Sequence, residues 1–172
     1  MPILTWNVGP TRKLTSADDN LRSIFNNANY YDYEVLTKIK MQTLRFLTSK
    51  QVQRLHISWI NPHGPLSQPD MLESAVHSPI NLEHYSRQRN PFQLAADLSE
   101  KVMRNHAYMD GNKRTALVAA ELFMKIKGYR LLLLGREGED LFAVNGGLAD
   151  AQVAVVTGEW SRERLGKYFE SR

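Results

Sequence analysis

The strongest constraint on the fold is a pair of helical patterns in the second half of the chain. Residues 92–105 place Leu94, Leu98 and Val102 four residues apart, which is the spacing that buries one face of a helix. Residues 112–127 form the most apolar predicted helix, and Gly128 follows in the position where many helices end. These patterns predict a mostly α-helical domain with a short polar segment between its two clearest helices.

The start of another helix can be read at residues 47–52. Thr48 and Gln51 have the spacing of a capping box, and Leu47 with Val52 has that of a hydrophobic staple. The Asn-Pro-His-Gly-Pro sequence at residues 61–65 ends this pattern. One amphipathic helix is therefore predicted between these two signals.

The next segment is predicted to contain a helix followed by a hairpin. Ser67 is expected to cap the helix, with Pro69 in its first turn. Residues 79–91 are polar and too irregular for a helix, so a small β-hairpin flap is expected there. The fold class is therefore predicted to be all-α, with about six helices and this flap. The apolar residues expected on the buried face of the helix after Ser67 are Met71, Leu72, Ala75 and Val76, and the two closing helices are expected at 150–156 and 161–169.

Composition limits the class of protein. The 172 residues, 42% hydrophobic and 23% charged, have ordinary globular values, which predicts one compact domain and excludes a disordered chain. The net charge of +4 favours an anionic partner only weakly, so binding to nucleic acid stays open. The absence of cysteine excludes a disulfide framework, a thiolate nucleophile and a cysteine-ligated zinc site. No apolar segment approaches the length of a membrane helix, so an intracellular, cytoplasmic protein without a membrane partner is expected.

The first 43 residues differ from the rest of the chain. They contain clustered asparagines and tyrosines and show little periodicity. We interpret residues 1–43 as an N-terminal accessory arm and residues 44–172 as the functional domain.

The polar segment between the two clearest helices, residues 106–114, reads His-Ala-Tyr-Met-Asp-Gly-Asn-Lys-Arg. A loop that ends at a helix N-terminus offers unpaired N–H groups to an anion, and Gly111 lets the backbone approach a ligand closely. Lys113 and Arg114 stand at the end of the helix dipole that disfavours cations, which favours a polyanionic ligand. Asn112 can cap the helix or hold a phosphate oxygen.

Two further residues of this segment have the chemistry of group transfer. The Asp110 carboxylate is a hard oxygen ligand of the kind that Mg²⁺ takes beside phosphate oxygens. The His106 imidazole can accept a proton from an attacking hydroxyl near neutral pH. Together with the anion-binding helix start, they predict a phosphate-transfer site.

These residues resemble the signature of Fic proteins, His-x-Phe-x-Asp/Glu-Gly-Asn-Gly-Arg. Lys113 replaces the second glycine, as in the Doc branch of the family, and Tyr108 stands at the aromatic position. The resemblance extends over residues 46–169 through the segments FLTSKQVQRLH, GPLSQPDMLESAV and TGEWSRERL. It implies a helical Fic fold and a transferase that uses ATP and Mg²⁺ to modify a hydroxyl of a macromolecule.

The resemblance also implies a role for each residue of the segment. His106 corresponds to the general base for the target hydroxyl, and Asp110 to the residue that holds Mg²⁺. Tyr108 is implied to pack in the core beneath the loop. Residues 81–93 resemble the flap that docks the target, with His84 and Tyr85 at its tip. The phosphate-binding residues are implied to be Gly111, Asn112 and Arg114, and Lys113 is assigned beside them.

Two departures from the AMP-transferring Fic pattern bear on the group that is moved. Lys113 would crowd the pocket that the second glycine leaves open for an anion. The second arginine of the pattern corresponds to Leu117, so one triphosphate contact is lost. Both departures resemble Doc, which is linked to phosphoryl transfer with the nucleotide reversed. Phosphoryl transfer is therefore favoured narrowly over AMP transfer (AMPylation).

Regulation and an alternative function complete the predictions. The inhibitory pattern of self-inhibited Fic proteins, Ser/Thr-x-x-x-Glu-Gly/Asn, is absent. Inhibition by a separate antitoxin-like partner, or by the N-terminal arm, is therefore the expectation. The expected target is a protein with a Ser, Thr or Tyr hydroxyl, and the chain itself is a second expected acceptor. The alternative is an inactive Fic-fold module that binds a partner or nucleic acid.

Overall fold

The computed structural model describes residues 46–131 and 145–172. The N-terminal arm predicted at residues 1–43 lies outside these ranges, so its prediction is untested. Within them the chain forms six helices and no strand, which confirms the predicted all-α class. In chain order the helices are α1 (Ser49–Trp59), α2 (Pro69–Ser86), α3 (Pro91–Arg104), α4 (Asn112–Ile126), α5 (Gly146–Thr157) and α6 (Arg162–Glu170).

Helices α3 and α4 form the centre of the fold. Helix α3 packs against α2, α4 and α6, whereas α1 lies against α4 and α2. Leu94 and Leu98 from α3 and Leu117 and Phe123 from α4 are buried in the shared core. Burial of one such side chain stabilises the fold by about 1.5–3 kcal/mol. This packing fixes the relative positions of the two helix ends between which the polar segment runs.

Local sequence signals set the helix starts. The Thr48 hydroxyl accepts a hydrogen bond from the Gln51 N–H, and the Gln51 side chain accepts one from the Thr48 N–H, as the capping box predicted. At the start of α3, the Asn90 side chain accepts hydrogen bonds from the N–H groups of residues 92 and 93. The Ser161 hydroxyl caps α6 in the same way.

The predicted β-hairpin flap is wrong. Residues 79–86 continue α2, and the helix ends at Arg87, whose φ of 53° is left-handed. Proline usually breaks a helix because it lacks an N–H and crowds the preceding turn. Here Pro79 is buried and Leu82 packs against the core, so tertiary packing maintains the helix beyond the proline.

Two smaller predictions about α2 are also wrong. The N-cap position is Gln68, without a side-chain hydrogen bond, and the Ser67 hydroxyl instead donates to the Ala107 carbonyl. Met71 was expected on the buried face but is 45% exposed, whereas Leu72, Ala75 and Val76 are buried as predicted. Over the two described ranges, no helix is both long enough and apolar enough to cross a membrane.

Candidate active site

The motif loop, residues 105–111, connects the end of α3 to the start of α4. Its backbone is left-handed at two positions, His106 (φ 47°) and Gly111 (φ 82°). A left-handed conformation is unfavourable for most side chains and easy for glycine. The loop therefore holds an exposed histidine, His106, in an uncommon backbone conformation at the tip of the turn.

Asn112, the first residue of α4, fixes the shape of the motif loop. Its side-chain oxygen accepts a hydrogen bond from the Tyr108 N–H (3.0 Å), and its side-chain nitrogen donates to the Tyr108 carbonyl (2.7 Å). The Asn112 side chain is buried, so these hydrogen bonds are shielded from water. Both backbone groups of Tyr108 are thereby tied to α4, a role that sequence reasoning did not assign to Asn112.

Asp110 and Arg114 form an ion pair at the mouth of the loop. One Asp110 oxygen accepts from the Gly111 N–H (2.6 Å), and the other lies 2.9 Å from an Arg114 guanidinium nitrogen. The Asp110 side chain is 70% exposed. The pair therefore places a carboxylate and a guanidinium side by side where a ligand can reach both.

The start of α4 lies next to this ion pair. No side chain in the described part of the chain caps this helix, so the N–H groups of its first turn remain available to an anion. Lys113 is exposed at the same end of the helix. Asp110, Lys113 and Arg114 thus lie at this end of the helix, whereas the Asn112 side chain is buried and bonds to Tyr108.

Tyr108 lies beneath the loop, as the resemblance implied. Its side chain is 2% exposed and stacks on the ring of His56 from α1, with ring centroids 3.8 Å apart and planes 7° from parallel. Burial raises the pKa of Tyr108, so the phenol stays protonated. Its hydroxyl has no hydrogen-bond partner among the described residues. No short spacing in the sequence linked His56 to the loop.

The segment between α1 and α2, residues 61–68, borders the motif loop. Leu66 pairs with Tyr108 as an isolated antiparallel bridge, and the N–H groups of Ser67 and Gln68 donate to the Ala107 carbonyl at 3.0 and 3.1 Å. The Pro-rich sequence of this segment gave no signal of such pairing.

His84 and Tyr85 lie elsewhere. The Met71 carbonyl near the start of α2 accepts a hydrogen bond from the motif-loop residue Asn105. His84 is thirteen residues further along α2, which at a rise of about 1.5 Å per residue places it about 20 Å from that contact. The structure therefore does not bring the predicted docking residues to the motif loop. They lie at the other end of α2, where His84 lines a cavity of about 420 Å³ together with Glu83, Arg87 and Arg89.

Asp110 is the residue that fits a magnesium ion. No group of three His, Cys, Asp or Glu side chains capable of forming a metal cage occurs in the described ranges. Magnesium is commonly held by one or two carboxylates together with phosphate oxygens, which needs no such cage. The exposed Asp110 carboxylate, next to a helix start that can take phosphate, suits this mode of binding.

Comparison with known proteins gives two matches. The model of the Fic/DOC family matches residues 46–124, which include the motif loop and helices α1–α3. A 65-residue stretch is 40% identical to a Mycolicibacterium smegmatis protein described as Toxin Doc, covering 36% of this chain and 48% of that relative. The chain thus spans about half the length of the curated relative it matches. Residues 46–124 of this chain are thus similar to the Fic/DOC family.

Proposed function

We propose that this protein is a transferase that moves a phosphate-containing group from ATP to a hydroxyl of a protein. The observation that carries the proposal is the motif loop itself. An exposed histidine, a carboxylate–guanidinium pair and an uncapped helix start lie within nine residues, on a loop held by buried hydrogen bonds. Each is a part that group transfer from a nucleotide requires.

In this proposal His106 is the general base. The target hydroxyl loses its proton to the His106 imidazole, and its oxygen forms a bond to phosphorus. The bond from phosphorus to the leaving group breaks at the same centre. The leaving group is ADP if the γ-phosphoryl group moves and pyrophosphate if AMP moves.

The remaining residues of the loop bind the nucleotide. The first-turn N–H groups of α4, which follow Gly111, would donate hydrogen bonds to phosphate oxygens, with Lys113 and Arg114 adding positive charge. Asn112 is assigned to phosphate binding by the resemblance, and its observed bonds to Tyr108 support an added role in shaping the loop. Asp110 would hold Mg²⁺, which neutralises charge on the phosphates when bound.

We favour phosphoryl transfer over AMP transfer. Leu117 is fully buried in α4, so the position of the second arginine in AMP-transferring Fic proteins faces the core here. Lys113 is exposed beside the helix start, where its charge could reach a terminal phosphate. Both observations support a nucleotide arrangement unlike that of the AMP-transferring proteins.

The target would approach along residues 61–68, because this segment pairs with the motif loop. We propose a protein with a Ser, Thr or Tyr hydroxyl as the target, with the chain itself as a second acceptor. The M. smegmatis relative is described as a toxin. By this similarity we propose an antitoxin-like partner that keeps the present protein inactive.

The test is a transfer assay with ATP labelled on the α or the γ phosphate, in cell lysate and on the purified chain alone. Retention of γ label only is the expected result. Retention of α label would show AMP transfer and overturn the preference for phosphoryl transfer. If neither label is retained, the proposal of a transferase fails and the fold is an interaction module. Binding to RNA or DNA that weakens with salt and does not depend on His106 would then identify nucleic acid as the partner.

A further inference from the structure

His56 is a buried polar residue that the proposed reaction does not use. It lies on α1, fully buried, at the point where this helix meets the motif loop and α4. Its Nδ1 atom is 2.8 Å from the Thr115 hydroxyl in α4, and its ring stacks on Tyr108 of the loop. A single side chain from α1 thus contacts both the middle of the motif loop, between His106 and Asp110, and the start of α4.

The hydrogen bonds indicate where the proton of this ring lies. The Thr115 hydroxyl lies 2.8 Å from the Gly111 carbonyl, a distance at which it donates its one hydrogen. The hydroxyl must then accept at its contact with His56, so Nδ1 carries the hydrogen. In the neutral ring Nε2 then carries a lone pair and no hydrogen. This agrees with its burial without a hydrogen-bond partner among the described residues. The opposite tautomer would bury an unpaired N–H, the costlier arrangement.

The same chain of contacts ends at the backbone of Gly111. A Cβ atom on Gly111 would lie 2.6 Å from the Ile60 side chain and 3.0 Å from the His56 ring, so α1 packs directly against this glycine. The Gly111 carbonyl accepts hydrogen bonds from both the N–H and the hydroxyl of Thr115. The position of the Gly111 peptide, which begins the anion-binding end of α4, is therefore set from two sides.

We infer that His56 is a positioning residue for the proposed transfer reaction. Through Thr115 it orients the Gly111 peptide, and through its stack on Tyr108 it holds the loop between His106 and Asp110. The expected effect on the transfer rate rests on the proposed function. The contacts of His56 with Thr115 and Tyr108 exist whether or not the protein catalyses a transfer. A misplacement of about 1 Å at a reacting centre lowers a rate by about 100-fold, so loss of this contact is expected to appear in the rate.

The kinetic test changes both ends of the contact. Thr115→Val keeps the shape of the side chain and removes the hydroxyl, whereas Thr115→Ser keeps the hydroxyl. His56→Phe keeps a ring for Tyr108 to stack on and removes the donor. Transfer of labelled phosphate to lysate proteins is measured against ATP concentration for these variants and for the double variant His56→Phe/Thr115→Val.

Thr115→Val is expected to lower kcat/KM for ATP by about tenfold or more, because the peptide that begins the phosphate-binding end of α4 is displaced although no group that contacts ATP is removed. Thr115→Ser should restore most of the rate. The double variant should be no slower than the slower single variant, since both changes remove one shared interaction. Effects that multiply, or a failure of Thr115→Ser to restore activity, would overturn the inference.

A measurement on the unmodified protein separates this inference from the proposed function. Nitrogen-15 NMR of the histidine rings distinguishes a protonated Nδ1 from a protonated Nε2. A neutral His56 with the hydrogen on Nδ1 is the expected result. Hydrogen on Nε2 would overturn the inference even if transfer is active. If the wild-type protein transfers nothing, the proposed function fails. The NMR measurement still shows whether His56 donates its Nδ1 hydrogen to Thr115.

Discussion

Substitution of Gly111 by alanine tests how closely α1 approaches the motif loop. Gly111 has a φ of 82°, which costs an L side chain about 1–2 kcal/mol, partly offset by about 0.4–1 kcal/mol because alanine stiffens the unfolded chain. The added Cβ would also lie 2.6 Å from Ile60 and 3.0 Å from His56. Overpacking of this kind costs about 1–3 kcal/mol. The expected loss in the free energy of unfolding is therefore about 2–4 kcal/mol.

Two other glycines provide matched controls. Gly128 and Gly158 both have a φ of 86°, and a Cβ on either would meet nothing within 4 Å. Their alanine variants share the backbone cost without the contact, so about 1 kcal/mol is expected for each. Urea unfolding at fixed pH measures all three variants. Equal losses at the three positions would refute the close packing of α1 on the loop.

Three further predictions concern the residues that support the loop. Burial, and then the charge of Arg114, lower the pKa of His56 below its ordinary value of 6.5, while the Asp110 carboxylate opposes the shift. As the pH falls below about 6.5 the unfolded chain takes up a proton that the folded protein does not, so the free energy of unfolding should fall by up to about 1.4 kcal/mol per pH unit. Urea titrations should show this slope in the wild type and in His77→Gln but not in His56→Phe; an equal slope in His56→Phe would contradict it. Tyr108→Phe removes a buried hydroxyl without a partner in the described ranges and should leave stability unchanged or raise it by about 1 kcal/mol, whereas a loss above about 1 kcal/mol would show a partner. Asn112→Ala leaves two buried backbone groups unpaired and should cost about 2–4 kcal/mol in urea unfolding, and a cost below about 1 kcal/mol would refute the role of Asn112 in the loop.

The helices that pack in the core were readable from the sequence because their signals are local. The four-residue spacing of Leu94 and Leu98 and the capping box at Thr48 each lie within one or two turns of a helix. The candidate site residues in and just after the motif loop were readable for the same reason, since they lie together between positions 106 and 114. The contiguous signature thus led directly to the family.

Features that depend on distant contacts were not readable. Pro79 is a local signal to end a helix, and only the burial of its ring and the packing of Leu82 explain why α2 continues. The contact of His56 with Thr115 joins residues 59 positions apart, so no short spacing reveals it. The pairing of residues 61–68 with the motif loop was not readable for a related reason. Residues 61–68 show no strand pattern, and their link to the loop consists of a single bridge and hydrogen bonds to Ala107.

The proposed role of His106 as the general base is tested by comparing His106→Ala with the wild type in transfer of label from γ-labelled ATP. His77→Ala, which replaces an exposed histidine on α2 outside the motif loop, is the matched control. Equilibrium dialysis with labelled ATP and Mg²⁺ measures nucleotide binding by each protein. His106→Ala is expected to lose transfer by about 100-fold or more while binding ATP nearly as well as the wild type and His77→Ala do. Transfer by His106→Ala at the wild-type rate would contradict the central claim.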